Sequence, residues 1–135
     1  MAQIKVKNVQ YPMVWNVEIG PEDVGNEVVI DVQPGFILTG LANVIRTAFN
    51  GTTPTYSIVD NKSSPTTLIA SATSGSTGTT NAIAATLYSE YPNGGKIRIL
   101  YVVASGTTTA GRADVVVQGI VRGRQNENVG ANRAT

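Results

Sequence analysis

Phe36-Ile37-Leu38-Thr39-Gly40-Leu41-Ala42-Asn43-Val44-Ile45-Arg46-Thr47-Ala48-Phe49 decides between a mixed fold and an all-β one. Read with a helical period, Ile37, Leu41, Ile45 and Phe49 lie four apart on one side. Read with a period of two, the same four share a parity with Thr39, Asn43 and Thr47. Thr39, Gly40, Asn43, Val44, Ile45 and Thr47 are weak helix formers, so composition favours a strand, with a bulge or bend expected at Gly40. A helix stays open as the alternative over residues 36–49.

The flanking segments are plainer. Met13 to Ile19 alternates, with Met13, Trp15, Val17 and Ile19 on the apolar face. Glu27 to Gln33 alternates again, with Val28, Ile30 and Val32 inward. Turn residues separate the segments: Gly20-Pro21-Glu22-Asp23, Pro34-Gly35, Asn50 to Pro54 and Tyr91 to Gly95. Thr55 to Asp60, Thr66 to Ala72, Lys96 to Ala104 and Arg112 to Arg122 read as further strands. Lys96 to Ala104 is apolar on one face and partly apolar on the other, so cover on both sides is expected along part of it. Thr73 to Thr80 holds only Ser, Thr and Gly and reads as a flexible connection. Residues 81–88 fit strand or helix. Eight or nine short strands at roughly ten-residue spacing predict an all-β protein, an antiparallel β-sandwich of jelly-roll type.

Composition agrees. The chain has 135 residues, with 17 Val, 11 Ile, 16 Thr, 14 Gly and 11 Asn but only 5 Leu. It has no Cys and no His, and only 14% of residues are charged. No disulfide framework, Cys zinc site or imidazole-based triad can be built from it. A formal net charge of +1 supplies no general field for nucleic acid. No Walker A pattern occurs, and Ser74-Gly75-Ser76-Thr77-Gly78 is a low-complexity loop, not a nucleophile elbow. Asp60-Asn61 reads as a turn, not a calcium loop. No catalytic, cofactor-binding or metal-binding residue is nominated, and a cofactor is not expected. The longest mainly apolar run, Phe36 to Val44, is far short of the roughly 20 residues a membrane span needs. Met1 to Lys7 lacks a signal-peptide pattern, so synthesis in the cytoplasm is expected.

Contact residues are sought at the ends. A single domain is expected over residues 1–122, with an arm over about 1–12 and a polar tail over 123–135. Ile4-Lys5-Val6-Lys7 alternates like an edge strand, with Tyr11 following it. Arg122, Arg124, Val129 and Arg133 mark a mildly basic C-terminus that buries too little to order itself. These nine residues are the candidate intersubunit contacts. Trp15 is read as core. Tyr88 and Tyr91 flank a turn, where the core or rim reading outweighs an exposed sugar-stacking platform.

Pro34 to Gly40, Thr47 to Ile58, Tyr91 to Ile97 and Gly106 to Val117 resemble small virion proteins of tailed phages. In those, a strand ends in "TAFNGT", a second strand follows, and a late "GTTTAG" loop precedes the final strand. This sequence departs at Ser57-Ile58-Val59-Asp60, which lacks the glycine of a "VGD"-like turn. The resemblance implies a jelly-roll sandwich that decorates heads or builds tail and fibre parts; it carries over no functional residue. The expected function is a non-enzymatic capsid decoration or cement protein in the virion, bridging major capsid subunits as a homo-oligomer, a trimer favoured. The alternatives are a tail or fibre component that binds host or glycan, a carbohydrate-binding module and a small coat protein.

Overall fold

The computed structural model describes residues 12–121. They form nine strands: β1 Met13–Ile19, β2 Val28–Val32, β3 Phe36–Thr47, β4 Thr55–Asp60, β5 Thr67–Thr73, β6 Gly78–Asn81, β7 Glu90–Tyr91, β8 Gly95–Val102 and β9 Arg112–Val121. Two single 3-10 turns, Pro21–Asp23 and Ala84–Thr86, interrupt them. No described helix is long and apolar enough to cross a membrane.

The first four strands pair in reverse order with the last ones. β1 pairs β9, β2 pairs β8, β3 pairs β6 and β7, and β4 pairs β5, all antiparallel. The chain is thus one long antiparallel ribbon that reverses between β4 and β5. Rolling the ribbon brings β9 against β3 and β8 against β4. The outcome is two sheets, β1-β9-β3-β6 with β7 also on β3, and β2-β8-β4-β5. This is the jelly-roll arrangement of a β-sandwich.

β3 is a strand throughout, which removes the helical alternative over residues 36–49. The expected bend is a bulge. Leu38 faces Gly119 and Gly40 faces Gln118, which leaves Thr39 without a partner in β9. One extra residue shifts the side-chain alternation by one. Phe36 and Leu38 point inward before it; Leu41, Asn43 and Ile45 point inward after it. The single parity expected for Ile37, Thr39, Leu41 and Ile45 is therefore corrected: Ile37 and Thr39 stand on the other side.

Three further expectations change. Thr73 to Thr80 is not all connection, since β6 takes residues from Gly78 and pairs with Ala42 to Ile45. Its side chains are all exposed, so backbone hydrogen bonding alone makes it a strand. Residues 81–88 form neither a full strand nor a helix but pass through the turn at Ala84–Thr86. Among the described residues no third layer packs on the outer side of β8, where Arg98 and Leu100 are half-buried and Val102 is exposed.

The core lies between the sheets. Ile19, Phe36, Leu38, Leu41, Val115 and Val117 meet Ile30, Tyr56, Ile58, Ile97, Ile99 and Tyr101. Trp15 packs against it, edge-on to Phe36 with centroids 5.5 Å apart. Two buried tyrosines hydroxyl-bond inside: Tyr91 donates to Asp60 Oδ2 at 3.1 Å, and Tyr101 donates to Asn43 Oδ1. Burial pushes both phenols well above their ordinary value of 10, and the neighbouring Asp60 charge pushes Tyr91 further. The unfolded chain releases these protons near pH 10 while the folded chain holds them. Their stabilising effect is complete below pH 10 and is lost as pH climbs towards the folded values. The urea midpoint should fall above pH 10, with a limiting slope of about 1.4 kcal/mol per pH unit for each tyrosine. Tyr91→Phe should flatten that fall, and a midpoint indifferent to pH between 10 and 11.5 would contradict it (roughly the window in which only the unfolded phenols ionise).

Candidate interaction surface

β1, β9 and β3 each end at one pole of the sandwich, at Met13, Val121 and Phe36, with Val121 opposite Phe36. The loops after β1, β3, β5 and β8 gather at the other pole, where Ile19 and Ile45 both lie opposite Ala113. Two of the resembling stretches join there. Asn50 Oδ1 accepts the Thr109 and Ala110 N–H groups at 2.8 and 3.1 Å, and its Nδ2 donates to Thr109 Oγ1 at 2.9 Å. Thr108 Oγ1 donates back to the Asn50 carbonyl at 3.0 Å. The "TAFNGT" asparagine thus clasps the "GTTTAG" loop, so both motifs serve architecture. Asn50→Ala should cost about 2 kcal/mol, since three exposed hydrogen bonds go at once. Thermal melting checks it, and hydrogen exchange should quicken at Thr109 and Ala110 first.

Concave chemistry is slight. The hollow lined by Pro21, Val24, Val102, Val103 and Thr107 is about 290 Å³, at the floor of small-molecule sites. Among the described residues no group of three acidic or other metal-ligating side chains converges. Asp60 is fully buried, but its carboxylate is engaged by the Lys62 and Thr66 N–H groups and by Tyr91. It shapes the β4–β5 turn. Asp114 is held by Arg46 on the outer side of β9.

The nine candidate contacts, Ile4, Lys5, Val6, Lys7, Tyr11, Arg122, Arg124, Val129 and Arg133, all lie outside the described residues. The chain enters at β1 and leaves from β9, which are neighbours, so both end segments start from the same pole. The charge divides along the same line. Residues 12–121 hold five basic and eight acidic side chains, a net −3, so the two end segments carry +4.

The two flanks differ as well. β1, β2 and their connection present Glu18, Glu22, Asp23, Glu27 and Asp31. Arg112, Arg98 and Lys96, each one strand inward, pair with Glu18, Glu27 and Asp31. The other flank is formed by β5, β6 and the segment to β7. From Ser63 to Ser89 it has no charged residue. Tyr88 stands out from it at 73% exposure and Ile83 at 43%. Tyr91 is in the core at 1% exposure, in keeping with the core or rim reading, beneath the Lys62 ammonium 4.6 Å from its ring. Sequence reading missed the uncharged flank, because only the pairing shows that β5 and β6 are edges of different sheets on one side.

A chain from the capsid of Ralstonia phage GP4 has the same architecture. It matches with a TM-score of 0.53 over 90% of this chain and 90% of that one, at 17% sequence identity. The fold is that of a phage capsid chain. No family model and no curated protein matches the sequence. At this identity the likeness is one of fold.

Proposed function

We propose that this chain is a structural protein of a phage virion, a capsid decoration or cement protein that binds the head surface as an oligomer and bridges neighbouring capsid subunits. The observation that carries this reading is the jelly roll shared along nine-tenths of both chains with a GP4 capsid component. The molecule's own features support it. Asn50 and Asp60 are committed to holding a loop and a turn, and its two end segments start from one pole with a joint charge of +4 against a body of −3. Such segments suit clasping of acidic surfaces on adjoining subunits, while the −3 body is ill suited to lining packaged nucleic acid.

Cryo-electron microscopy of the intact particle tests the reading directly. Density for this sandwich on the outer head surface is the expected result; density at the tail tip would replace it with the tail or fibre reading, which the exposed Tyr88 ring favours as a glycan contact. Removing residues 123–135 should leave the melting temperature unchanged and weaken binding to heads at least tenfold, measured by co-sedimentation. Undiminished binding would relieve the tail of that role.

A further inference from the structure

We propose that Asn93-Gly94, in the turn before β8, is a site of self-modification. There the folded chain converts asparagine to isoaspartate, while its other Asn-Gly pair, Asn50-Gly51, is protected by the fold.

The chemistry needs only these two residues and water. The backbone nitrogen of Gly94 attacks the side-chain carbonyl carbon of Asn93, Cγ. An N–Cγ bond forms and the Cγ–Nδ2 bond breaks. The amide nitrogen leaves as ammonia, carrying the proton that the Gly94 nitrogen gives up, and a cyclic imide remains. Water then opens the imide without any change of oxidation state. Opening at the former backbone carbonyl gives isoaspartate, with the chain running through the side-chain carbon; opening at Cγ gives aspartate. Glycine favours the first step, because no Cβ shields its nitrogen and its backbone turns freely.

The sequence offers this dipeptide twice, and hydrogen bonding separates the two copies. Asn50 is held on several sides. Its Oδ1 accepts from the Thr109 and Ala110 N–H groups at 2.8 and 3.1 Å, its Nδ2 donates to Thr109 Oγ1 at 2.9 Å, and its own N–H donates to Ala110 O at 3.3 Å. Just past Gly51, the Thr52 N–H donates to Ser105 O at 3.1 Å and Thr52 O accepts from the Ala104 N–H at 2.8 Å. Swinging Asn50 Cγ onto the Gly51 nitrogen would break several of these bonds at once.

Asn93 is exposed, and among the described residues its side chain has no hydrogen-bond partner. It is the third residue of the turn Tyr91-Pro92-Asn93-Gly94, which one bond closes, from the Gly94 N–H to Tyr91 O at 3.1 Å. Breaking that bond frees the nucleophile, and an exposed turn held so lightly opens at little free energy. Gly94 has a φ of +78°, and a Cβ there would lie 2.9 Å from the Val32 carbonyl oxygen. The fold therefore requires glycine at the position where glycine makes the asparagine reactive. The product adds a negative charge and one backbone carbon at the pole from which both end segments leave, since Tyr91 lies opposite Phe36 and Phe36 opposite Val121.

Prolonged incubation of the folded full-length chain at neutral pH, read by tryptic peptide mapping in a mass spectrometer, tests this. Trypsin separates the sites, because Asn50 falls in residues 47–62 and Asn93 in residues 63–96. Conversion of amide to acid should run at least tenfold faster at Asn93 than at Asn50, with isoaspartate exceeding aspartate. In urea, where the Asn50 clasp is gone, the two sites should convert at comparable rates. Asn93→Gln changes an exposed side chain and lengthens it past the favoured ring size. It should keep the wild-type melting temperature and abolish the conversion in residues 63–96. An Asn93 that stays an amide in the folded chain while converting in urea overturns the proposal. So does an Asn50 that converts as fast in the folded chain, and so does the same tenfold difference in urea, which would trace it to neighbouring sequence. Aspartate without isoaspartate would mean direct hydrolysis with no attack by Gly94, and conversion persisting at the wild-type rate in Asn93→Gln would place it elsewhere; either result sinks the assignment.

Discussion

Gly119→Val should abolish folding at ordinary temperature. Gly119 lies inward in β9, opposite Met13 on one side and Leu38 on the other. The Phe36 ring occupies the space over it. A Cβ there would overlap that ring and the Ile37 carbonyl oxygen, well inside van der Waals contact. Phe36 is fully buried and held between Trp15 and Tyr91, at centroid distances of 5.5 and 6.0 Å, so it has no free rotamer to retreat into. The Ile37 carbonyl is backbone and can yield only by parting β3 from β9. Gly119→Ala should already cost about 3 kcal/mol, at the upper end of overpacking effects, and valine more, against a total stability of about 5–15 kcal/mol. Gly40→Ala is the control: its Cβ would meet Gln118 at 3.7 Å, ordinary contact, and about 1 kcal/mol should cover any change. Circular dichroism and thermal melting read both. A Gly119→Val protein that melts like the wild type would show that Phe36 does not sit there.

Asp60→Ala is the second large effect, with an expected loss of about 4 kcal/mol. The carboxylate is fully buried and accepts from the Thr66 N–H at 2.8 Å, the Tyr91 hydroxyl at 3.1 Å and the Lys62 N–H at 3.3 Å. Truncation strands three donors, and each unsatisfied buried group costs about 1–3 kcal/mol. Because β4 and β5 meet at this turn, the damage falls on the reversal point of the whole ribbon. Asp60→Asn keeps an acceptor for the two backbone groups and should lose only about 1 kcal/mol. Equal losses for the two variants, measured by urea unfolding, would mean that the hydrogen bonds are not what Asp60 contributes. The glycine missing from Ser57-Ile58-Val59-Asp60 has its explanation here: the aspartate side chain, bonding two residues ahead and six residues ahead, makes the turn that a glycine would otherwise permit.

Much of the fold was legible in the residues. The alternation in Met13 to Ile19 and Glu27 to Gln33 matches β1 and β2 with the same faces inward, and Pro34-Gly35 turns with Gly35 at a φ of +84°. β4, β8 and β9 lie within a residue or two of where β-branched runs and turn residues put them. β6 was not legible, because Gly-Thr-Thr-Asn carries no apolar alternation and is a strand only by hydrogen bonding to β3. The interaction surface was less legible still. Its candidates were sought in the end segments, where charge is visible in the sequence; the uncharged flank is defined by what it lacks.

By itself the sequence determined the strand-and-turn inventory, the all-β class and the poverty of chemistry, because alternation, β-branching, turn residues and missing side chains act over a few residues or none. Only the tertiary structure decided which strands are neighbours, where Thr39 throws the parity of β3, and which segments are left as edges. Those depend on partners distant in the chain, such as Gly119 for Leu38 and Asp114 for Val44, and a pairing energy shared between two segments is written in neither alone.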